Sequence, residues 1–436
     1  MGNKLLQSKI FSFLLIYIYI CYIFYMYILI GKTFSSIEGY NYSIEIDYYS
    51  VFINGFLAFL PSIFLFSKPN QNKPSSIILL VLYLIHIIPS IIFPTFLKKF
   101  AIEFFWQLFI SISFSIFVII YFLLDKYKIR FPKIPYLKLL QKFYTIMLFL
   151  ISIFIFTYLL YEFKGINYIS IFHVYDVRNL YKETVNPLIS YIVINSGYIL
   201  SPFLILYSFT RKKLILKILF FTLGTLLSII IFSNTGFKSV AFMWIFILII
   251  YLYLKKIKIQ YLPLKFLTFF IFFLFFLHIL AIVLNLDFIY LHWIRRLLLS
   301  AGMNTTYFYD YIINHDLYFL KNAPLTISIN YFGTYGSANT GLIGDGLTRY
   351  LFLGIYFNYL ILFFILKILD SLYRYVTFSY RTMLLALTFP ISYALSYSKT
   401  TSIFLTYGFL LIIFLFYWRI YVKKKNLSSF NCSSTV

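Results

Sequence analysis

The sequence predicts an all-α, polytopic integral membrane protein, and three observations carry that reading. Hydrophobic residues fill 62% of its 436 positions while charged ones fill only 11%, less than half of the roughly 25% expected of a water-facing domain. The mean hydropathy is +0.89. Apolar runs recur at close to the ~20 residues that a helix needs to cross a hydrocarbon layer of about 30 Å. Disordered and fibrous classes are excluded by the same composition. So is a disulfide scaffold, because the two cysteines are Cys21 in an apolar run and Cys432 in a polar tail. The aromatic share of 23% is in part the signature of an AT-rich gene, together with the abundant Ile, Lys and Asn.

Taken in order, spans are expected at 10–30, 51–66, 76–96, 103–124, 143–163, 188–208, 214–233, 238–254, 263–284, 347–366, 382–398 and 401–421, about twelve in all. The first is long enough to span and no small-residue cleavage site follows it, so it reads as a helix and not as a signal peptide. The second, eighth and eleventh are short. The third carries Pro89 and Pro94, which should kink or end it. Its His86, and His278 in the ninth, read as hydrogen-bonded groups between helices.

The formal charge of +24 sorts by side. With the N-terminus cytoplasmic, the inner segments hold 25 of the 37 basic residues and two acids, Asp125 and Asp370. The outer segments keep 12 basic residues and 11 acids. That bias follows the positive-inside rule and puts both termini in the cytoplasm. The charge is then anchoring to membrane lipids, and no soluble domain presents a groove to nucleic acid.

Two outer stretches exceed simple connectors. Residues 164–187 hold His173, Asp176, Arg178 and Glu183, and residues 285–345 form a large loop of about sixty residues. In the latter, Leu291 to Ser300 reads as an amphipathic piece lying at the interface. Long loops of this kind usually carry function. Phosphate-loop and dinucleotide signatures fail on spacing: Gly236-Phe-Lys238-Ser239 is incomplete, and Gly341, Gly344 and Gly346 follow no strand. The five histidines do not cluster, so neither a metal nor another cofactor is expected.

The outer cations are the stronger signal. Arg178, Lys238, Arg295, Arg296 and Arg349 fall on four segments. Converging cations suit a lipid-linked diphosphate, because a guanidinium takes two phosphate oxygens at once and stabilises a departing diphosphate. Each also has a plainer role among lipid head groups, and Asp345 and Arg349, four apart, have the spacing of a surface ion pair. Asp176, Asp310, His315 and Asp345 are candidates to deprotonate an acceptor hydroxyl.

Four segments resemble the oligosaccharide repeat-unit polymerases of bacterial O-antigen and capsule synthesis. They are Val174-Tyr-Asp-Val-Arg178-Asn; Ser233-Asn-Thr-Gly-Phe-Lys238-Ser239; Arg295-Arg296 with the later Tyr307-Phe-Tyr-Asp-Tyr311; and Ser337-Ala-Asn339-Thr-Gly341-Leu-Ile-Gly344-Asp345-Gly346 with Leu353-Gly354. The likeness runs in order through most of 170–360, and the stretch after Arg178 is shorter and more basic than in that family. It implies glycosyl transfer at the outer face of the bacterial inner membrane. A glycan would leave undecaprenyl diphosphate for an incoming lipid-linked oligosaccharide unit, without a nucleotide sugar, ATP or metal. It also brings in a polysaccharide chain-length regulator as a partner. In this reading Arg178, Lys238, Arg295, Arg296 and Arg349 serve the diphosphates, and Asp310, His315 or Asp345 serves the acceptor. Tyr307 and Asn339 line the sugar cleft. An O-antigen ligase shares the donor and the large loop, and a flippase or other transporter shares the span number, although no internal repeat is visible.

Overall fold

The computed structural model describes residues 2–35, 37, 46, 48–66, 72–96, scattered positions between 110 and 123, 129–131, 138–166, 174–256, 261–317, 319–333 and 338–417. The expected fourth span lies largely outside the described residues, as do His173, Ser337, the basic tail from Arg419 and most of the run from Lys126 to Lys142. Among the described residues the chain is helical, with no strand beyond an isolated bridge between Phe319 and Arg349.

In chain order the helices are α1 (Gly2–Phe34), α2 (Tyr48–Leu65), α3 (Pro74–Phe96), α4 (Lys138–Glu162), α5 (Val174–Thr184), α6 (Pro187–Ser208), α7 (Leu214–Thr235), α8 (Lys238–Lys256) and α9 (Leu262–Val283). There follow α10 (Asp287–Ile294), α11 (Ser300–Asn314), α12 (Ala323–Phe332), α13 (Leu342–Leu347), α14 (Leu351–Tyr375), α15 (Phe378–Tyr397), α16 (Ser402–Leu405) and α17 (Phe409–Tyr417). Nine of the described helices are long and apolar enough to cross a membrane: those from α1 through α9 except α5, together with α14. The protein is membrane-embedded and polytopic. The expected eleventh span is the helix α15, too polar to count among the nine. The twelfth is broken into α16 and α17 at Gly408, whose φ of +73° takes the chain out of the helix.

The chain divides into two compact units. Met1–Lys128, Ile259–Lys367 and Ser392–Thr401 make the first; Ile129–Lys258, Ile368–Ile391 and Ser402–Val436 make the second.

In the first unit α3 is almost wholly buried. The expected proline kink is spread over a π-turn at Tyr83–Ile87, an α segment at Ile88–Ile92 and a 3-10 turn at Phe93–Phe96. Pro89 has no N–H to give Ile85, and its ring crowds that carbonyl, so the wider π spacing relieves the clash. Tyrosine hydroxyls tie neighbouring helices to this span: Tyr19 donates to Leu84 O at 2.9 Å and Tyr83 to Ala58 O at 2.6 Å. Each such bond is worth about 0.5–1.5 kcal/mol net.

The large loop differs most from expectation. Asp287 to Asn314 is one helical run, α10 and α11 joined by a π-turn at Arg295–Leu299. Leu298 and Leu299 are buried, as is every residue from Ala301 to Tyr309, so the segment read as an interfacial amphipathic piece runs on into the core of its unit. Gly302 makes this possible. A Cβ there would lie 2.3 Å from the Pro89 carbonyl carbon, so only a glycine lets α11 reach the kink of α3.

The second unit is built on a similar device. Gly224 of α7 faces the Ser201 carbonyl of α6, with 2.9 Å left for a Cβ, and Ser201 Oγ donates to Gly224 O at 2.8 Å. A π-turn at Ser196–Leu200 precedes Pro202. Lys367 and Asp370, expected in an inner loop, lie inside α14 and are 2% and 3% exposed, because that helix continues to Tyr375.

Candidate functional site

Two sets of site residues can be built up, one within each unit. In the second, the turn between α7 and α8 organises the cations. Gly236 adopts φ +64°, and a Cβ on it would lie 2.5 Å from Val174 O, so the first turn of α5 rests directly on it. Thr235 Oγ1 accepts from the Phe237 N–H at 3.2 Å. The Phe237 ring then meets Tyr181 edge-on at 5.4 Å and carries the Arg178 guanidinium 5.5 Å from its centroid. Arg178 is half-buried, its Nε buried without a hydrogen-bond partner, whereas Lys238 is exposed at the start of α8. Segments 174–179 and 233–239 thus meet locally, a contact the sequence reading did not specify. The anchored guanidinium of Arg178 and the exposed ammonium of Lys238 are each able to take an anionic oxygen group. In the same unit an apolar cavity of about 320 Å³ is lined by Phe143, Met147, Ile151, Tyr191 and Leu411 among others.

In the first unit the carboxylate of Asp310 anchors an aromatic shelf. Tyr331 donates its hydroxyl to Asp310 Oδ2, and Asn314 Nδ2 donates to Oδ1 at 2.8 Å. Burial, and then the Asp310 carboxylate, push the Tyr331 hydroxyl well above the ordinary phenol range, so it stays a donor. Tyr331 stacks on Tyr307 at 4.5 Å and meets Tyr311 edge-on at 6.5 Å. Tyr307 itself is buried among Tyr331, Phe332 and Phe93, so the half-buried Tyr331 and Tyr311 are the rings facing outward. His315 is exposed and stacks on Tyr311 at 4.1 Å. Its Nδ1 lies 2.8 Å from Tyr311 O, and a carbonyl only accepts, so Nδ1 carries the proton and Nε2 is the basic nitrogen of the neutral ring.

Asp345 lies elsewhere in that unit and is 4% exposed. Its Oδ2 accepts from Thr400 N at 3.0 Å and from Asn358 Nδ2 at 3.3 Å, and its Oδ1 is 3.6 Å from the Arg349 guanidinium. The expected ion pair forms, with a buried carboxylate and with Arg349 past the end of α13. Arg349 sits in a tight turn whose Tyr350 and Leu351 have positive φ. Arg295 is buried with its guanidinium 5.6 Å from the Phe34 ring centroid, whereas Arg296 is exposed, so the two adjacent arginines do not act as a pair. Asn339 is exposed between buried Ala338 and Thr340. Tyr331, Asn358 and Thr400 were not expected; Asn358, a polar residue within a span, was the one visible signal.

Comparison with protein-family models, curated proteins and solved structures finds no match to this chain.

Proposed function

We propose that this chain is a glycosyltransferase that polymerises undecaprenyl-diphosphate-linked oligosaccharide units into a surface polysaccharide, at the outer face of the bacterial inner membrane. The observation that carries the reading is the shelf around Asp310: outward tyrosine rings beside a carboxylate fixed by two donors, a chemistry suited to the apolar face and hydroxyls of a sugar. The cations at the Gly236 turn support it. Arg178 and Lys238 bind the diphosphate, and the apolar cavity in the same unit accommodates isoprenoid hydrocarbon.

In the reaction the bond between the donor sugar C1 and the phosphate oxygen breaks and a bond from C1 to an acceptor hydroxyl oxygen forms. The hydroxyl proton passes to His315 Nε2, and the electron pair leaves on the diphosphate. Asp345, 4% exposed and with its Oδ2 engaged by Thr400 and Asn358, serves as an anchor for α13 in this scheme and not as the base. The released diphosphate carrier supplies the driving force.

Gene deletion in the native host tests the assignment by its glycan phenotype. A polymerase deletion leaves surface lipid bearing single repeat units. A normal-length ladder would overturn the proposal; polymer retained on its lipid carrier would point to a ligase, and units trapped inside to a flippase. Complementation with Arg178→Ala is expected to lose the ladder at normal membrane abundance.

A further inference from the structure

We propose that His86 is a positioning residue: through Thr305 and Thr340 it holds the segment 338–341, which presents Asn339. The glycan role of Asn339 rests on the function proposed above, but the positioning itself does not.

The hydrogen bonds form a directed bridge across three elements. His86, on the π-turn of α3, has Nε2 at 3.1 Å from Thr305 Oγ1 on α11, and that oxygen is 2.9 Å from Thr340 Oγ1. Thr305 Oγ1 also donates its single proton to Ala301 O at 2.8 Å. It must therefore accept from both of its other partners, so His86 donates through Nε2–H and Thr340 donates through its hydroxyl. A neutral Nε2–H ring and an imidazolium donate in the same direction, so the bridge is a fixed link and not a proton switch. All three side chains are buried, at 1% exposure or less for His86 and Thr305 and 4% for Thr340.

The adjacent residue pair repeats the link. Asn304 Nδ2 donates to Asn339 O at 2.6 Å, so consecutive residues of α11 hold consecutive residues of the segment. Two glycines remove the slack on the other side. A Cβ on Gly341 would lie 2.2 Å from Leu395 O, and one on Gly344 would lie 2.3 Å from the Thr340 side chain. His86 reaches Thr305 because Gly302 seats α11 on the kink of α3, and because the π-turn rotates His86 from its α-helical direction.

A polar bridge inside an apolar unit contributes little net stability over an apolar filling of the same shape, but it specifies one arrangement. The placement of Asn339, an exposed side chain between two buried neighbours, is what this arrangement specifies.

The test uses the full chain with Cys21→Ser, Cys432→Ser and Ala338→Cys, reacted with a small maleimide in membranes. Ala338 is 4% exposed, so the thiol reacts only when the segment opens. His86→Leu and Thr340→Val, which each remove one link, are expected to raise the labelling rate about fivefold. His86→Gln, which keeps an N–H donor, is expected to bring it back to within twofold of the parent. Parental rates in a folded His86→Leu protein, or a His86→Gln rate equal to that of His86→Leu, would overturn the positioning role. Should His86→Leu fail to fold, the near-isosteric Thr340→Val carries the test, and an unchanged rate there overturns it equally. The glycan ladder, read with Ala338 restored, is a separate arm: faster labelling with a full ladder keeps the positioning and refutes the glycan role of Asn339.

Discussion

Replacing Asp345 separates an anchor from a catalyst. The carboxylate is 4% exposed and holds the backbone N–H of Thr400, itself fully buried, at 3.0 Å. In Asp345→Ala that N–H has no acceptor, at about 1–3 kcal/mol for an orphaned buried donor. Asn358 suffers less, because its amide also donates to Leu342 O at 2.9 Å. The Arg349 contact adds only about 0–1 kcal/mol, since that guanidinium is 36% exposed and screened by solvent. The expected destabilisation by Asp345→Ala is thus about 1–4 kcal/mol. Asp345→Asn keeps a carbonyl oxygen for Thr400 and should cost only about 1 kcal/mol. Equilibrium unfolding by SDS in mixed micelles measures both, and the glycan ladder of complemented cells gives the second readout. Two results would refute the reasoning. One is an alanine variant no less stable than the asparagine variant. The other is an asparagine variant of near-parental stability that makes no polymer, which would return Asp345 to the chemistry.

Other substitutions probe the remaining elements. Tyr331→Phe removes the donor to Asp310 and should shorten the ladder while changing unfolding free energy by about 1 kcal/mol; a parental ladder would take Tyr331 out of the site. Gly236→Ala forces a left-handed alanine, at about 1–2 kcal/mol, and drives its methyl against Val174 O, so both the unfolding midpoint and the ladder should fall. Arg381 donates to the carbonyls of Tyr373, Val376 and Arg374 at 3.0–3.1 Å, closing the end of α14. Arg381→Ala should cost about 1–3 kcal/mol by SDS unfolding with no change in ladder length.

Most spans were legible because about 20 apolar residues in a row leave few alternatives in a membrane. Even the short eighth span, expected at 238–254, forms as Lys238–Lys256. The reading failed where polarity and burial part company. Ser300, Gly302, Asn304, Thr305 and Thr306 lower the hydropathy of α11, so its stretch reads as a loop. Yet small and hydroxyl-bearing residues are the ones that let helices approach closely and bond across the contact. The cation turn at 235–238 was legible because its residues are neighbours in sequence. The clasp of Asp345 on Thr400 spans 55 residues, and no local pattern announces it. Tyr307 was singled out for its place in an aromatic patch, but periodicity does not tell the ring inside a stack from the ring outside it.

The π-turn in α3 means that the chain carries one residue more than an unbroken α-helix would need there. Deleting a single residue between Tyr83 and Ile87 would press the Pro89 ring back against the carbonyl four residues before it, the clash that the wider turn avoids. It would also change which side chains within the turn face Thr305, because the extra residue is taken up locally. Chain length at this point therefore encodes a facing. A homologue one residue shorter here would be expected to present a different side chain to Thr305, however similar the rest of its sequence.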